Sequence, residues 1–528
     1  MTPDPEKNNV LSDFISELRR PEAPATLRER ERLQEVGAGL VNSIKDYDGS
    51  RVVEVCVESA LEGLPLAVGF KKSFIGSFLY HVTGGEAFLD LAMQGLREQA
   101  ISIPNAMSDL FALQHLRFVS GHDQWDPQFD GKTFDCLWTL FNRVVERLQN
   151  YRPALGLASQ GAIISNKRAL VITDQFVGVG HAPTRIALEA AKSLMLNHDM
   201  QVLLLDTAQY PSAPAGSILS LMAPNNLKAH SQILKVEYEN QVIEVFRPRT
   251  GGLGEGALTS LVERIAAFDP SLVLVIGDTC PLAELLNDRA IVMQYPLSAD
   301  PPITKNNYFS LYLPPDGRVK NMLYEMGTAD KFLFIAAGGY PALSSYSIKT
   351  REELGLPEKN FVYAVVGNRL TMECDEQFFA CLDAICRSGG IHIFFIGPYA
   401  GLDSITSRYH YLRENCTHSE YERDLMAAYH QCDGYINPKR KGGGTSAVYA
   451  MQAGLPVLTL PEGDVSIAGS KFPQISSFED LAKVAIELHN NGDLYDRYRQ
   501  FATDGARDLT QLDNVIAKFV QEYERLVA

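Results

Sequence analysis

From Ala169 onward the chain is a succession of short apolar runs separated by segments of helical periodicity, and this alternation restricts the fold more than any other feature. The runs Ala169–Thr173, Val202–Asp206, Val242–Phe246, Leu272–Ile276 and Ala290–Tyr295 are strand-sized and bounded by Gly, Pro, Asn or Asp. A strand that is apolar throughout must be covered on both faces, which is the condition of a parallel sheet between helices. The helices of this unit are expected at Thr184–Leu196 and Leu258–Phe268. A second series follows, with strands at Phe332–Ala336, Val362–Val366, Ile391–Ile396, Gly434–Asn437 and Val457–Leu460. Its helices are expected near Asp375–Arg387, Ser419–His430 and Thr445–Ala453. Two doubly wound α/β units in succession predict two Rossmann-like domains facing a cleft, with ligands bound beyond the carboxyl ends of the strands.

The first 160 or so residues have a different texture. Leu11, Phe14, Ile15 and Leu18 follow helical spacing, as do Leu137, Phe141, Val144, Val145 and Leu148, and Ala87–Leu96 is also helical in character. We divide the chain into a mainly α-helical region 1–160, an α/β unit 165–328, a second α/β unit 329–505 and a C-terminal helical stretch 506–528. A length of 528 residues suits several domains.

The net charge of −16 gives no bulk attraction to nucleic acid or to an anionic membrane surface, so neither is expected as a partner. No run of 18 apolar residues is present, and Met1–Val10 lacks the basic start and apolar stretch of a secretory signal. None of the eight cysteines forms a CxxC pair. Reduced thiols, a cytoplasmic location and no metal centre are the expectations.

The most informative segment is Asn437-Pro438-Lys439-Arg440-Lys441-Gly442-Gly443-Gly444-Thr445-Ser446, which joins a strand to a helix and is followed by Gly454-Leu455-Pro456-Val457. Glycines let a backbone approach a ligand closely, and a helix start offers unpaired N–H groups and the positive end of a dipole. Together they make a site for a diphosphate. A capped turn does not need three consecutive glycines, so the triplet points to phosphate. Lys439, Arg440 and Lys441 concentrate positive charge there in an otherwise acidic chain. The glycine and lysine order is not that of a Walker loop.

This strand, Gly/Thr/Ser-rich helix start and Ala450-Met451-Gln452-Ala453-Gly454-Leu455-Pro456-Val457 resemble the donor-diphosphate loop of GT-B glycosyltransferases. The resemblance spans about residues 168–528 and implies two Rossmann-like domains with the nucleotide sugar held mainly by the C-terminal one. Two branches are similar. The retaining relatives of glycogen synthase carry two glutamates eight positions apart, where this chain has Lys441 and Tyr449. The relatives of O-GlcNAc transferase have consecutive hydroxyl residues after the glycines, closer to Gly444-Thr445-Ser446. By this likeness Gly443, Gly444, Thr445, Ser446 and Lys441 would bind the donor diphosphate, as would Arg369 of Gly367-Asn368-Arg369.

Gly178-Val179-Gly180-His181-Ala182-Pro183-Thr184 follows the first strand and resembles the His-Pro-Thr loop of the O-GlcNAc transferase relatives, with Ala182 inserted. His181 would orient the acceptor or act as general base, a task suited to the ordinary pKa of histidine. Tyr399 would meet the nucleotide base, and Glu462 and Asp464 the sugar or ribose. The implied activity is metal-independent transfer of a hexose from a nucleoside-diphosphate sugar, with UDP as nucleotide, to a protein or glycan acceptor. No cofactor is implied beyond the donor substrate. The helical region is expected to recognise the acceptor or to mediate oligomerisation. A non-catalytic GT-B partner that activates another transferase, or a sugar-nucleotide epimerase, are the alternatives.

Overall fold

A computed structural model describes residues 27–44, 69–98, 102–119, 127–156, 166–174, 176–178, 181–207, 217–219, 233–248, 255–298, 300–335, 339–343, 347–399 and 401–528. The expected helix around Leu11–Leu18 lies outside the described residues.

Two separate sheets carry the α/β pattern. The first contains β1 (Arg168–Thr173), β2 (Gln201–Asp206), β3 (Ile233–Tyr238), β4 (Gln241–Phe246), β5 (Leu272–Ile276), β6 (Ile291–Tyr295), β7 (Tyr308–Leu311) and β8 (Phe332–Phe334). Their order is β3-β4-β2-β1-β5-β6-β7-β8, parallel except for the β3–β4 pair. That pair turns through Glu239 and Asn240, both at positive φ, in keeping with a tight two-residue hairpin. The second sheet contains β9 (Phe361–Val366), β10 (Ile391–Ile396), β11 (Cys416–Ser419), β12 (Gly434–Ile436) and β13 (Val457–Leu458), in the parallel order β11-β10-β9-β12-β13. The chain reverses direction across the sheet between β1 and β5, and again between β9 and β12. Crevices at such switch points are where α/β sheets bind ligands.

Two expectations need correction. The run at 332–336 does not open the second sheet. Phe332–Phe334 pairs in parallel with β7 after the crossover helix Gly317–Met326, which makes it the last strand of the first sheet. Nor is Ser419–His430 one helix. Cys416–Ser419 is an edge strand beside β10, and the helix starts only at Leu425, where the Asp424 carboxylate caps the Ala427 amide.

The N-terminal region is helical as expected, with helices Leu27–Ile44, Gly69–Thr83, Glu86–Glu98, Ile103–Val119 and Pro127–Leu148. It shares its core with the first sheet. One cluster runs from Leu113, Leu137, Phe141 and Leu148 into Leu170, Ile172, Leu203 and Val275. The opposite face of that sheet is covered by the helix Ala182–Asn197 and by the C-terminal helix Leu512–Val527, through Val515, Ile516, Phe519 and Val520. The chain therefore ends against the unit in which its α/β pattern began. The seven described cysteines are free thiols. No helix among the described residues is long and apolar enough to cross a membrane.

Candidate functional site

The carboxyl ends of both sheets open on one cleft of about 2580 Å³. Its walls include His181, Arg369, Tyr399, Lys441, Gly443, Gly444, Thr445, Ser446, Glu462 and Asp464, all singled out from the sequence, but not Lys439.

The glycine loop leaves β12 and enters the helix Gly444–Gln452, whose N-cap is Gly443 at φ 101°. A glycine cap has no side chain to offer, so the first-turn amides are left for another acceptor. Each of the three glycines also has a steric reason to be there. A Cβ would lie 2.6 Å from the Phe118 ring at Gly442, 2.5 Å from Arg440 Nη2 at Gly443 and 2.5 Å from Tyr340 Oη at Gly444. The three positions are therefore closely surrounded by side-chain ends, and the phosphate reading rests on the helix start as well as on the glycines. Ser446 Oγ donates to the Gly443 carbonyl at 3.1 Å. Thr445, beside it, is half-buried at the cleft wall.

The three cations of the loop have different fates. Arg440 is fully enclosed. Its guanidinium donates to Asn437 Oδ1 (2.9 Å), Glu373 Oε2 (2.7 Å), the Val366 carbonyl (2.7 Å) and Tyr435 Oη (2.9 Å). It fastens the loop to β9 and β12 with four of its five N–H groups, which makes it chiefly an anchor of the loop. Lys439 lies 3.6 Å from Glu462, which lines the cleft. Lys441 points into a buried set of charges, 4.0 Å from both Asp130 Oδ1 and Asp300 Oδ2. Burial lowers its pKa, and the two carboxylates oppose that shift.

Arg369 follows β9. It is paired with Glu373 at 2.9 Å and lies over the Phe118 ring, 4.8 Å from its centroid. Tyr399, after β10, is 6% exposed and stands edge-on to Phe379 at 5.9 Å, as a packed turn aromatic does. Glu462 and Asp464 follow β13. The Asp464 amide donates to the Lys441 carbonyl at 2.6 Å, so the β13 loop braces the glycine loop.

On the opposing wall, His181 caps the helix Ala182–Asn197. Its Nδ1 lies 3.3 Å from Thr184 Oγ1, which accepts from the Val177 amide at 3.0 Å. Val179 and Gly180 of this loop, and Ser344–Tyr346, lie outside the described residues. Tyr340 is described and lines the cleft.

Several residues of the cleft were missed in the sequence. Asp174 and Asp278 follow the adjacent strands β1 and β5 and face the same space. Burial first, then Asp278, pushes the Asp174 carboxyl up to about 8, and its Oδ1 has no hydrogen-bond partner. Burial also raises Asp278 to about 6, opposed by the Leu297 and Ser298 amides. An Asp placed immediately after an apolar strand is a readable signal for such a position. The helical region supplies His115, Arg117, Phe118 and Asp130 to the same cleft. Burial, then Arg369, drives His115 down to about 3 and keeps it neutral. No motif announces these four residues.

No protein-family model and no curated protein matches the chain. Among solved structures, a mutant O-GlcNAc transferase from Thermobaculum terrenum aligns over 100% of this chain and 98% of its own, at 13% identity and a TM-score of 0.54. HepE from Anabaena in complex with UDP and glucose aligns over 67% of this chain and 99% of its own, at 15% identity and a TM-score of 0.45. The full-length likeness shows the fold: this is a GT-B chain with a helical region ahead of two Rossmann-like units.

Proposed function

We propose that the protein is a glycosyltransferase that moves a hexose from a nucleoside-diphosphate sugar, with UDP as nucleotide, to a protein or glycan acceptor. The observation that carries this reading is one cleft in which the helix start at Gly444–Ser446, Lys441 and Arg369 face His181 across the two α/β units. In such a transfer the bond from the anomeric carbon to the diphosphate breaks, and negative charge grows on the leaving oxygen. Backbone amides at a helix start, a hydroxyl pair and buried cations stabilise that charge best where water is excluded. Thr445 supplies a hydroxyl, and Ser446 a second one on exchanging its bond to the Gly443 carbonyl for the phosphate. Lys441 and Arg369 supply the positive charge that a divalent metal supplies elsewhere, so the transfer proceeds without one.

His181 is the candidate for the acceptor proton. In the tautomer whose Nδ1–H donates to Thr184 Oγ1, the Nε2 lone pair is the proton acceptor. Asp174 and Asp278 can accept or donate hydrogen bonds to acceptor hydroxyls from the same wall. The likeness to an O-GlcNAc transferase over the full chain favours a protein acceptor.

The reading is tested by incubating the protein with a panel of nucleotide sugars and following nucleoside-diphosphate release, with and without EDTA. Slow release from a UDP-hexose, unchanged by EDTA and lost in Thr445→Ala, supports it. Binding without release supports a non-catalytic partner. Interconversion of the nucleotide sugar without release of nucleotide supports an epimerase.

A further inference from the structure

We propose that Asp130, on the helix Pro127–Leu148, is a positioning residue that holds Lys441 for the donor diphosphate, so that the helical region is a working part of the donor site. The proposal rests on the donor reading of the glycine loop. Asp130 is 6% exposed, and both of its oxygens are engaged. Oδ1 accepts from Arg117 Nη2 at 2.6 Å and lies 4.0 Å from Lys441 Nζ, while Oδ2 accepts from Arg318 Nη1 at 3.0 Å. Arg318 also pairs with Asp300, the second carboxylate near Lys441.

Five charged groups from three parts of the chain thus form one network: Arg117 and Asp130 from the helical region, Asp300 and Arg318 from the first α/β unit, and Lys441 from the glycine loop. Three are cations and two are carboxylates. The surplus positive charge lies in the cleft, where a diphosphate would neutralise it. Burial works against ionisation of Asp130, yet Arg117 and Arg318 hold its carboxyl below the usual range. It therefore stays a fixed negative charge beside the Lys441 ammonium.

A lysine on a free stem samples many rotamers, and ordering it on binding weakens affinity. Set between Asp130 and Asp300, the ammonium is ordered before the ligand arrives. The second cation of the site rests on the same helical region, since Arg369 lies over Phe118 and Phe118 closes against Gly442.

Positioning and simple charge predict opposite signs. A carboxylate near a phosphate site repels the ligand, so its removal should tighten binding if it acted by charge alone. If it positions Lys441, its removal should weaken binding. The experiment measures UDP affinity by calorimetry for the full chain, Asp130→Asn, Lys441→Met and the double variant. We expect Asp130→Asn to weaken UDP roughly tenfold and to have no further effect when Lys441 is already Met, the non-additivity of a coupled pair. Equal losses in both backgrounds, or tighter binding by Asp130→Asn, would overturn the proposal. Should the Asn variant fail to fold, Asp130→Glu keeps the charge but moves it, and carries the same comparison. A wild-type chain that binds neither UDP nor a UDP-sugar removes the donor reading itself. Wild-type binding with additive effects removes only the role of Asp130.

Discussion

Arg185 and Tyr449 meet across the cleft. Arg185 Nη1 donates to the Tyr449 hydroxyl at 3.0 Å, and the guanidinium carbon lies 5.9 Å from the ring centroid. The contact joins the helix after β1 to the helix after the glycine loop. It links the two α/β units through one hydrogen bond and a cation–ring contact. Removing the hydroxyl in Tyr449→Phe should destabilise by about 0.5–1.5 kcal/mol, the net value of one hydrogen bond. Urea unfolding of Tyr449→Phe, Arg185→Met and the double variant checks this, with the double variant losing less than the two singles together.

Arg440 and Lys441 are neighbours with opposite duties, and substitution should separate them. Arg440→Ala leaves Glu373 buried with Arg369 as its remaining cationic partner and should destabilise by somewhat less than the about 3–5 kcal/mol of a fully orphaned buried charge. Lys441→Ala removes a partly desolvated ammonium whose neighbouring carboxylates keep their arginine partners. It should unfold near the wild-type urea concentration while losing UDP affinity. Paired unfolding and binding curves for the two variants give the comparison.

Asp174 should make stability depend on pH in an unusual direction. Its folded pKa of about 8 stands above the unfolded value of about 3.9, so between the two the folded chain keeps a proton that the unfolded chain has released. Its contribution is fully present below about pH 4 and is lost as pH rises through about 8. Melting temperatures of wild type and Asp174→Asn from pH 5 to 8 should therefore separate, the variant gaining on the wild type as pH rises. Comparing the two chains at each pH cancels the titrating groups that do not interact with Asp174, and repeating the comparison in an Asp278→Asn background removes the carboxylate that does so most strongly.

Catalysis should not need a divalent cation. Nucleotide release by the protein after EDTA treatment should match that of the untreated protein, and added Mg²⁺ should change it less than about twofold. Removal of Arg369 as Arg369→Met should weaken UDP binding roughly tenfold, the value of one charge-assisted contact to phosphate.

Much of this architecture could be read in the sequence because apolar runs such as Leu272–Ile276 and Ile391–Ile396 are buried from end to end. The glycine loop was legible for the same reason, as a strand end followed by glycines and a hydroxyl pair. The polar edge strand Cys416–Ser419 was not, since half-exposed Thr417 and His418 carry no apolar signal. The sheet to which Phe332–Phe334 belongs was also hidden, because pairing is a spatial fact that strand order along the chain does not state. The anchoring role of Arg440 was hidden for a related reason. A basic residue beside glycines looks ready for phosphate until Glu373, distant in sequence, is seen beneath it. Asp130 and Phe118 illustrate the limit most sharply, as nothing local in their helices points to the cleft they help to line.

The helix start at Gly444 and the cations beside it form the proposed nucleoside-diphosphate site. Calorimetric titration of the wild-type chain and Thr445→Ala with UDP tests it most directly. One saturable site is expected in the wild type and at least about tenfold weaker binding in the variant, the cost of a lost hydrogen bond to a charged group. Wild type and variant binding UDP equally, or neither binding it, would contradict the account.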